Sequence, residues 1–375
     1  MSLIEEKSHK TMLRSILATL LLFSVFISCK RNTIQPQNSE PLYFPPIASG
    51  IWETQSPESL GWNTSSLQGL YDYLNQNNTR AFLVLENGKI VLEKYFGKTI
   101  QGNTDFTASS NWYWASAGKT LTAFLVGSAQ EEGKLNIQQP TSTYLGTGWT
   151  SLSPAQESQI TLRHQLTMTT GLDYNVSDLD CTLPTCLLYK APAGSQWYYH
   201  NAPYTLLEQV IANATQKSFN QYTDEKLKNK IGMDGTWIKS GYNNVFFSTA
   251  RSMARFGLLI LANGRWENNE IMQDKNYLKE MLNTSQDLNQ SYGYLWWLNG
   301  KQSAMYPGMS NVFLGSLAPN APSDLVAAMG KNGQFLLIVP SKKLIIVRMG
   351  EAPDNALVPI AFHNELWARL NAIIP

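Results

Sequence analysis

The chain has 375 residues, 43% of them hydrophobic and 15% charged, with a formal net charge of +1. That is enough length and apolar content for one large or two closely joined globular units with a sizeable core. A near-neutral balance with no dense Lys/Arg run removes the electrostatic case for nucleic acid. Four scattered histidines (His9, His164, His200 and His363) and no C-x-x-C pair argue against a metal hydrolase.

In chain order, Lys7, Lys10 and Arg14 precede an apolar run over 16–27 that closes on Ser28-Cys29. The run is shorter than the ~20 residues a spanning helix needs, and it fits the h-region of a secretory signal. Met12-Leu13-Arg14 offers a cleaner start than the acidic Glu5-Glu6 stretch. Phe26-Ile27-Ser28-Cys29 resembles a bacterial lipoprotein box, which implies a signal peptide over 1–28 and lipidation of Cys29; the plainer alternative is a short N-terminal anchor helix. Residues 29–47 are polar, with Pro36, Pro41, Pro45 and Pro46, and read as a tether ahead of a catalytic domain over 48–375. The expected location is a bacterial membrane, facing the periplasm or the cell surface.

A helix is predicted over 67–74 with Ser65 or Ser66 as N-cap. Apolar alternation over 81–86 and 89–95 flanks Asn87-Gly88, the strongest local hairpin signal. A second hairpin is predicted from 334–340 and 344–349, and an amphipathic segment over 357–373 closes the chain. Between them helices are predicted over 120–130, 204–214 and 250–262. Strands at both ends with helices between predict an α+β fold: one antiparallel sheet built from both termini, with a helical insertion at roughly 125–290. Cys181 and Cys186 lie in a loop-like stretch with Pro184, and in an oxidising compartment they predict a disulfide.

Three short motifs carry chemistry. Ser116-Ala117-Gly118-Lys119 opens a helix-patterned run, and positions i and i+3 share a helix face with Cβ atoms about 5–6 Å apart. A lysine there can take the serine proton if burial lowers its proton affinity. The free N–H groups of a helix start can hold an oxyanion. In Tyr199-His200-Asn201, the tyrosine hydroxyl can relay a proton and the asparagine amide can grip a substrate carbonyl. Lys331-Asn332-Gly333-Gln334 precedes a strand, where it offers either a cation with a close backbone approach or a plain polar turn. Trp112, Tyr113, Trp197, Trp296 and Trp297 flank these motifs as either an aromatic cleft wall or ordinary core. His164 reads as structural.

Taken in order, Ser116-x-x-Lys119, Tyr199-x-Asn201 and Lys331-Asn332-Gly333 resemble the motifs of the serine β-lactamase and penicillin-binding-protein superfamily. The nearer branches are class C β-lactamases, β-lactamase-fold esterases and 6-aminohexanoate-dimer hydrolases. Arg163-His164-Gln165-Leu166-Thr167-Met168-Thr169-Thr170-Gly171-Leu172 and Tyr292-Gly293-Tyr294-Leu295-Trp296-Trp297 agree with the same family. The resemblance implies a β-lactamase/transpeptidase-like fold and an acyl-enzyme on Ser116. Lys119 and Tyr199 would share acid–base duty, Asn201 and Lys331 would orient substrate, and the N–H groups of Ser116 and Gln334 would form the oxyanion hole. No cofactor is implied, and the partner is a small-molecule or peptide-like acyl substrate. His200 departs from the usual serine or alanine and raises the question of an effect on Tyr199. Asn332 replaces a hydroxyl that contacts the lactam carboxylate, so the amidase and esterase branches fit better. A D-Ala-D-Ala carboxypeptidase or β-lactamase is the alternative within enzymes; a non-turnover ligand-binding or sensor lipoprotein is the alternative outside them.

Overall fold

Asn87 and Gly88 both take positive φ, 51° and 86°, the turn geometry whose twist matches paired strands. They join β1 (Thr79–Glu86) to β2 (Lys89–Tyr95). From the other end of the chain come β3 (Trp297–Leu298), β4 (Val326–Gly330), β5 (Gln334–Val339) and β6 (Leu344–Gly350). The two ends meet where β1 pairs with β6, Phe82 opposite Arg348 and Leu85 opposite Ile345. The sheet runs β2-β1-β6-β5-β4-β3, with each neighbouring pair antiparallel. This computed structural model describes residues 41–375; the expected signal peptide, Cys29 and the first part of the tether lie outside the described residues. The remainder of the tether belongs to the domain, because the Tyr43 amide donates to Asn87 O at 3.0 Å and Arg255 binds the Pro46 carbonyl at 2.9 Å.

β5 is buried along its whole length, as a strand covered on both faces must be. Its alternating side chains meet different layers. Phe335 packs on Phe362 and His363 of α6 (Ile360–Asn371). Leu336 turns the other way, onto Gly257 of α5 (Ala250–Leu261). α1 (Leu67–Gln76) joins the α6 side through Tyr73, stacked on Phe362 at 5.5 Å. Its predicted cap does not form: Ser66 makes no side-chain capping bond, and a 3₁₀ turn leads in instead.

The inserted segment carries α2 (Lys119–Glu131), nearly all of it buried, then α3 (Asn201–Thr205) and α4 (Leu207–Thr215). The single helix predicted over 204–214 is two helices, broken at Leu206. The Pro203 carbonyl, which an unbroken helix offers to residue 207, instead accepts from Gln165 Nε2 at 2.6 Å. The insertion also holds strands that the sequence did not predict. Trp112–Tyr113 pairs with Asn243–Ser248, which pairs with Thr236–Ser240. No described helix is long and apolar enough to cross a membrane.

Candidate active site

The small sheet fixes the first motif. The Trp114 amide donates to Phe246 O at 2.8 Å, and its indole donates to Ser248 Oγ at 2.7 Å. Ala115 follows with φ at 47°, a left-handed conformation that costs a non-glycine residue roughly 1 kcal/mol and marks a constrained turn. The 3₁₀ turn Ala115–Gly118 then runs into α2. Ser116 is left half-buried, with Lys119 one turn on and only 4% exposed.

Around Lys119 the walls are aromatic. Its Nζ lies 3.7 Å from the ring centre of Tyr204 and 5.4 Å from that of Tyr199. Burial brings the Lys119 amine down to about 7, with the Asp180 carboxylate acting in the opposite direction. At neutral pH a large share of this amine is unprotonated, as a base requires.

Tyr199 is buried, stacked on Trp297 at 5.8 Å and met edge-on by Tyr292 at 6.3 Å. Trp197 buttresses both Trp297 and Tyr292. Trp112, Trp197, Trp296 and Trp297 are all buried, and Trp297 and Trp197 pack around Tyr199 and Tyr292. Burial raises the Tyr199 phenol well above its usual value, and a hydrogen bond with Ser116 opposes that rise. His200 is extended, φ −108° and ψ 116°, so Tyr199 and Asn201 share one side of the chain and His200 the other. His200 is buried, and among the described residues both its ring nitrogens lack partners. Burial lowers it to about 4 against the pull of Asp173 and Asp180, which favours the neutral ring at pH 7. His164 is structural: Nδ1 accepts from the Thr161 amide in a capping box.

Asn201 Nδ2 donates to Asp180 Oδ1 at 2.7 Å, while its Oδ1 is buried without a partner among the described residues. One of the two N–H donors of the amide is thus engaged by Asp180.

The third motif forms a polar turn. Lys331–Gly333 is the turn between β4 and β5, with Asn332 at φ 64° and Gly333 at φ 74°. Its groups serve that turn: Asn332 Nδ2 donates to Tyr113 Oη at 2.8 Å, and Arg348 donates to the carbonyls of Asn332 and Gly333. Lys331 is exposed. Gln334 is fully buried, its amide exchanging hydrogen bonds with both backbone groups of Gly350. The strand backbone that reaches the nucleophile turn is Gly330. A Cβ placed there would sit 2.6 Å from Trp114 O, 2.9 Å from Ala117 N and 3.1 Å from Ser116 N. Of the expected oxyanion pair, the Ser116 amide thus lies against strand backbone at Gly330.

Residues 75–359 match the beta-lactamase family model. The chain belongs to the beta-lactamase family. That membership makes it kin to serine hydrolases and penicillin-binding proteins in general. It is 28% identical over 163 residues to the Bacillus subtilis protein assigned as penicillin-binding protein PbpX, a match covering 40% of this chain and 39% of that one. The Flp protein of Staphylococcus aureus is 25% identical over 163 residues, 40% of this chain and 32% of its own. The chain thus matches well under half the length of these relatives. A Bacillus anthracis structure assigned as a 6-aminohexanoate-dimer hydrolase superposes with a TM-score of 0.65 at 19% identity, covering 88% of this chain and 89% of that one. A penicillin-binding-protein homologue from Caulobacter crescentus gives 0.62 at 12%, covering 82% and 97%. At such identities these two establish the fold alone.

Within this beta-lactamase-family site, Asp180, Tyr204 and Gly330 belong to none of the motifs read from the sequence. Gly330 directly precedes the third motif. Tyr204 had a signal only as an apolar residue in a predicted helix. Asp180, beside Cys181, had none.

Proposed function

We propose that this chain is an exported serine hydrolase that cleaves an amide or ester through an acyl-enzyme on Ser116. In that reading neutral Lys119, directly or through Tyr199, takes the Ser116 proton as Oγ bonds to the substrate carbonyl carbon. The oxyanion forms beside the Ser116 amide, where Gly330 brings strand backbone close. As the carbonyl re-forms, the bond to the leaving group breaks and the proton passes to that group; water then repeats the sequence on the ester. The observation that carries the reading is the lysine: a buried amine near 7, packed on tyrosine rings, one turn from a serine bonded to Tyr199. The Cys29 motif supports export with a lipid anchor, and turnover of Cys29→Ser into the soluble fraction of cells would test that part.

Intact-mass spectrometry with a fluorophosphonate probe tests the chemistry, with turnover of a short-chain nitrophenyl ester, a 6-aminohexanoate dimer and nitrocefin alongside. One adduct is expected on the wild type and none on Ser116→Ala. A wild type that takes no label and turns over nothing would sink the hydrolase reading and leave a ligand-binding lipoprotein in its place.

A further inference from the structure

Two turns meet at the nucleophile, and they touch in two places. One is the close approach of Gly330 to the Ser116 amide. The other lies two residues further on, where Asn332 Nδ2 donates to Tyr113 Oη at 2.8 Å. Tyr113 ends the short strand that leads into Ala115 and Ser116, so this bond ties the nucleophile's strand to the turn Lys331–Gly333.

Each partner in that bond is held by its own surroundings. The Tyr113 ring stacks on Trp112 at 5.3 Å and meets Phe247 edge-on at 6.3 Å, which limits where its hydroxyl can go. Trp112 is anchored to the main sheet in turn, its indole donating to Gly350 O at 3.1 Å. In the turn, all three carbonyls are taken. Gln334 Nε2 donates to Lys331 O at 3.3 Å, and the buried Arg348 donates to the carbonyls of Asn332 and Gly333. Asn332 sits at φ 64°, a left-handed conformation that asparagine accepts more readily than most residues. Its backbone is therefore tied to the main sheet, while its side chain spans the gap to the nucleophile's strand.

We infer that Tyr113 is a positioning residue for acyl transfer: its hydrogen bond with Asn332 clamps the turn Lys331–Gly333 against the nucleophile's strand, and so sets the width of the oxyanion site between Gly330 and the Ser116 amide. This rests on the hydrolase reading above. In the step it serves, the Ser116 O–H bond breaks and Oγ bonds to the acyl carbon. The carbonyl π pair moves onto the oxygen, which stays beside the Ser116 amide until the carbonyl re-forms and the leaving group departs with the proton. Tyr113 and Asn332 neither give nor take a proton in that step. Their effect is on distance, and a displacement of about 1 Å in such a site costs as much as 10²-fold in rate.

The test compares nitrophenyl-ester turnover, fluorophosphonate labelling and melting temperature for the wild type, Tyr113→Phe, Asn332→Gly and the double variant. Tyr113→Phe removes the hydroxyl and keeps the ring packing. Asn332→Gly removes the amide and keeps a residue at ease with positive φ, so it reports even if Tyr113→Phe folds poorly. Each single variant should lower kcat about tenfold or more with little change in KM, and slow labelling in parallel. The double variant should be no slower than the slower single one, because both remove the same bond. Wild-type kcat and labelling in Asn332→Gly, or single effects that multiply in the double variant, would overturn the inference and leave the hydrolase reading standing. A lowered melting temperature with kcat unchanged would make the bond a support of the fold alone and overturn it equally. A wild type that neither labels nor turns over would remove the hydrolase reading and this inference with it.

Discussion

Lys119 shows how a single side chain can be costly to the fold and necessary to the chemistry. Its ordinary value of 10.5 falls to about 7 because burial penalises the ammonium form. Between those values the unfolded chain binds a proton that the folded one does not, so stability rises with pH across that window. The penalty is fully present below about pH 7 and fades towards 10.5. At about 1.36 kcal/mol per unit it reaches roughly 5 kcal/mol at most. Lys119→Met, similar in shape and uncharged, should therefore abolish ester turnover yet raise stability in urea titrations by a few kcal/mol at pH 6. By pH 10 the gain should shrink below about 1 kcal/mol. An equal gain at both pH values would mean that something other than the buried amine is being relieved. Ala115 carries a smaller cost of the same kind at its positive φ, and the paired anchors of Trp114 hold it there.

Among elements, β4 governs the site without contributing a reactive side chain. Gly330 lets its backbone lie against the turn 114–117, and a methyl there would meet that turn's backbone rather than a side chain able to yield. Gly330→Ala should cost about 1–3 kcal/mol and slow fluorophosphonate labelling of Ser116 by at least tenfold, since the strand must withdraw. Unchanged labelling would show that the strand and the nucleophile turn move independently. Locally encoded features were legible in the sequence. Asn87-Gly88 dictates its turn whatever surrounds it, and Ser116 with Lys119 needs only a helix to be neighbours. The rest depends on distant partners. Two residues at Trp112–Tyr113 become a strand only because Asn243–Ser248 offers them a ladder. The break at Leu206 requires Gln165 to claim a helix carbonyl. Gly330 is the residue that lies against the Ser116 turn at the end of β4, and that approach depends on a turn more than two hundred residues earlier in the chain.

At the scale of the whole molecule, both ends of the described chain close on the same sheet, and the segment before β1 is part of that closure. Arg255 is 5% exposed, and its guanidinium is satisfied by carbonyls rather than a carboxylate: Ile231 at 2.8 Å, Pro46 at 2.9 Å and Ser49 at 3.2 Å. It also lies over the rings of Trp52 and Trp266, 5.3 and 5.7 Å from their centres. Two of those carbonyls belong to residues that the sequence places at the edge of a tether. Hydrogen bonds to a charged group contribute about 1.5–3 kcal/mol each, and a buried charge stripped of partners costs more than the bonds alone. A chain beginning at Ile51 should therefore be less stable than one beginning at Pro41 by about 3 kcal/mol or more. Adding Arg255→Met to the shorter chain should restore part of that loss, because the stranded charge is then gone. Comparing the melting temperatures of the two truncations, each with and without Arg255→Met, separates this from a simple loss of apolar cover, for which the substitution would bring no recovery.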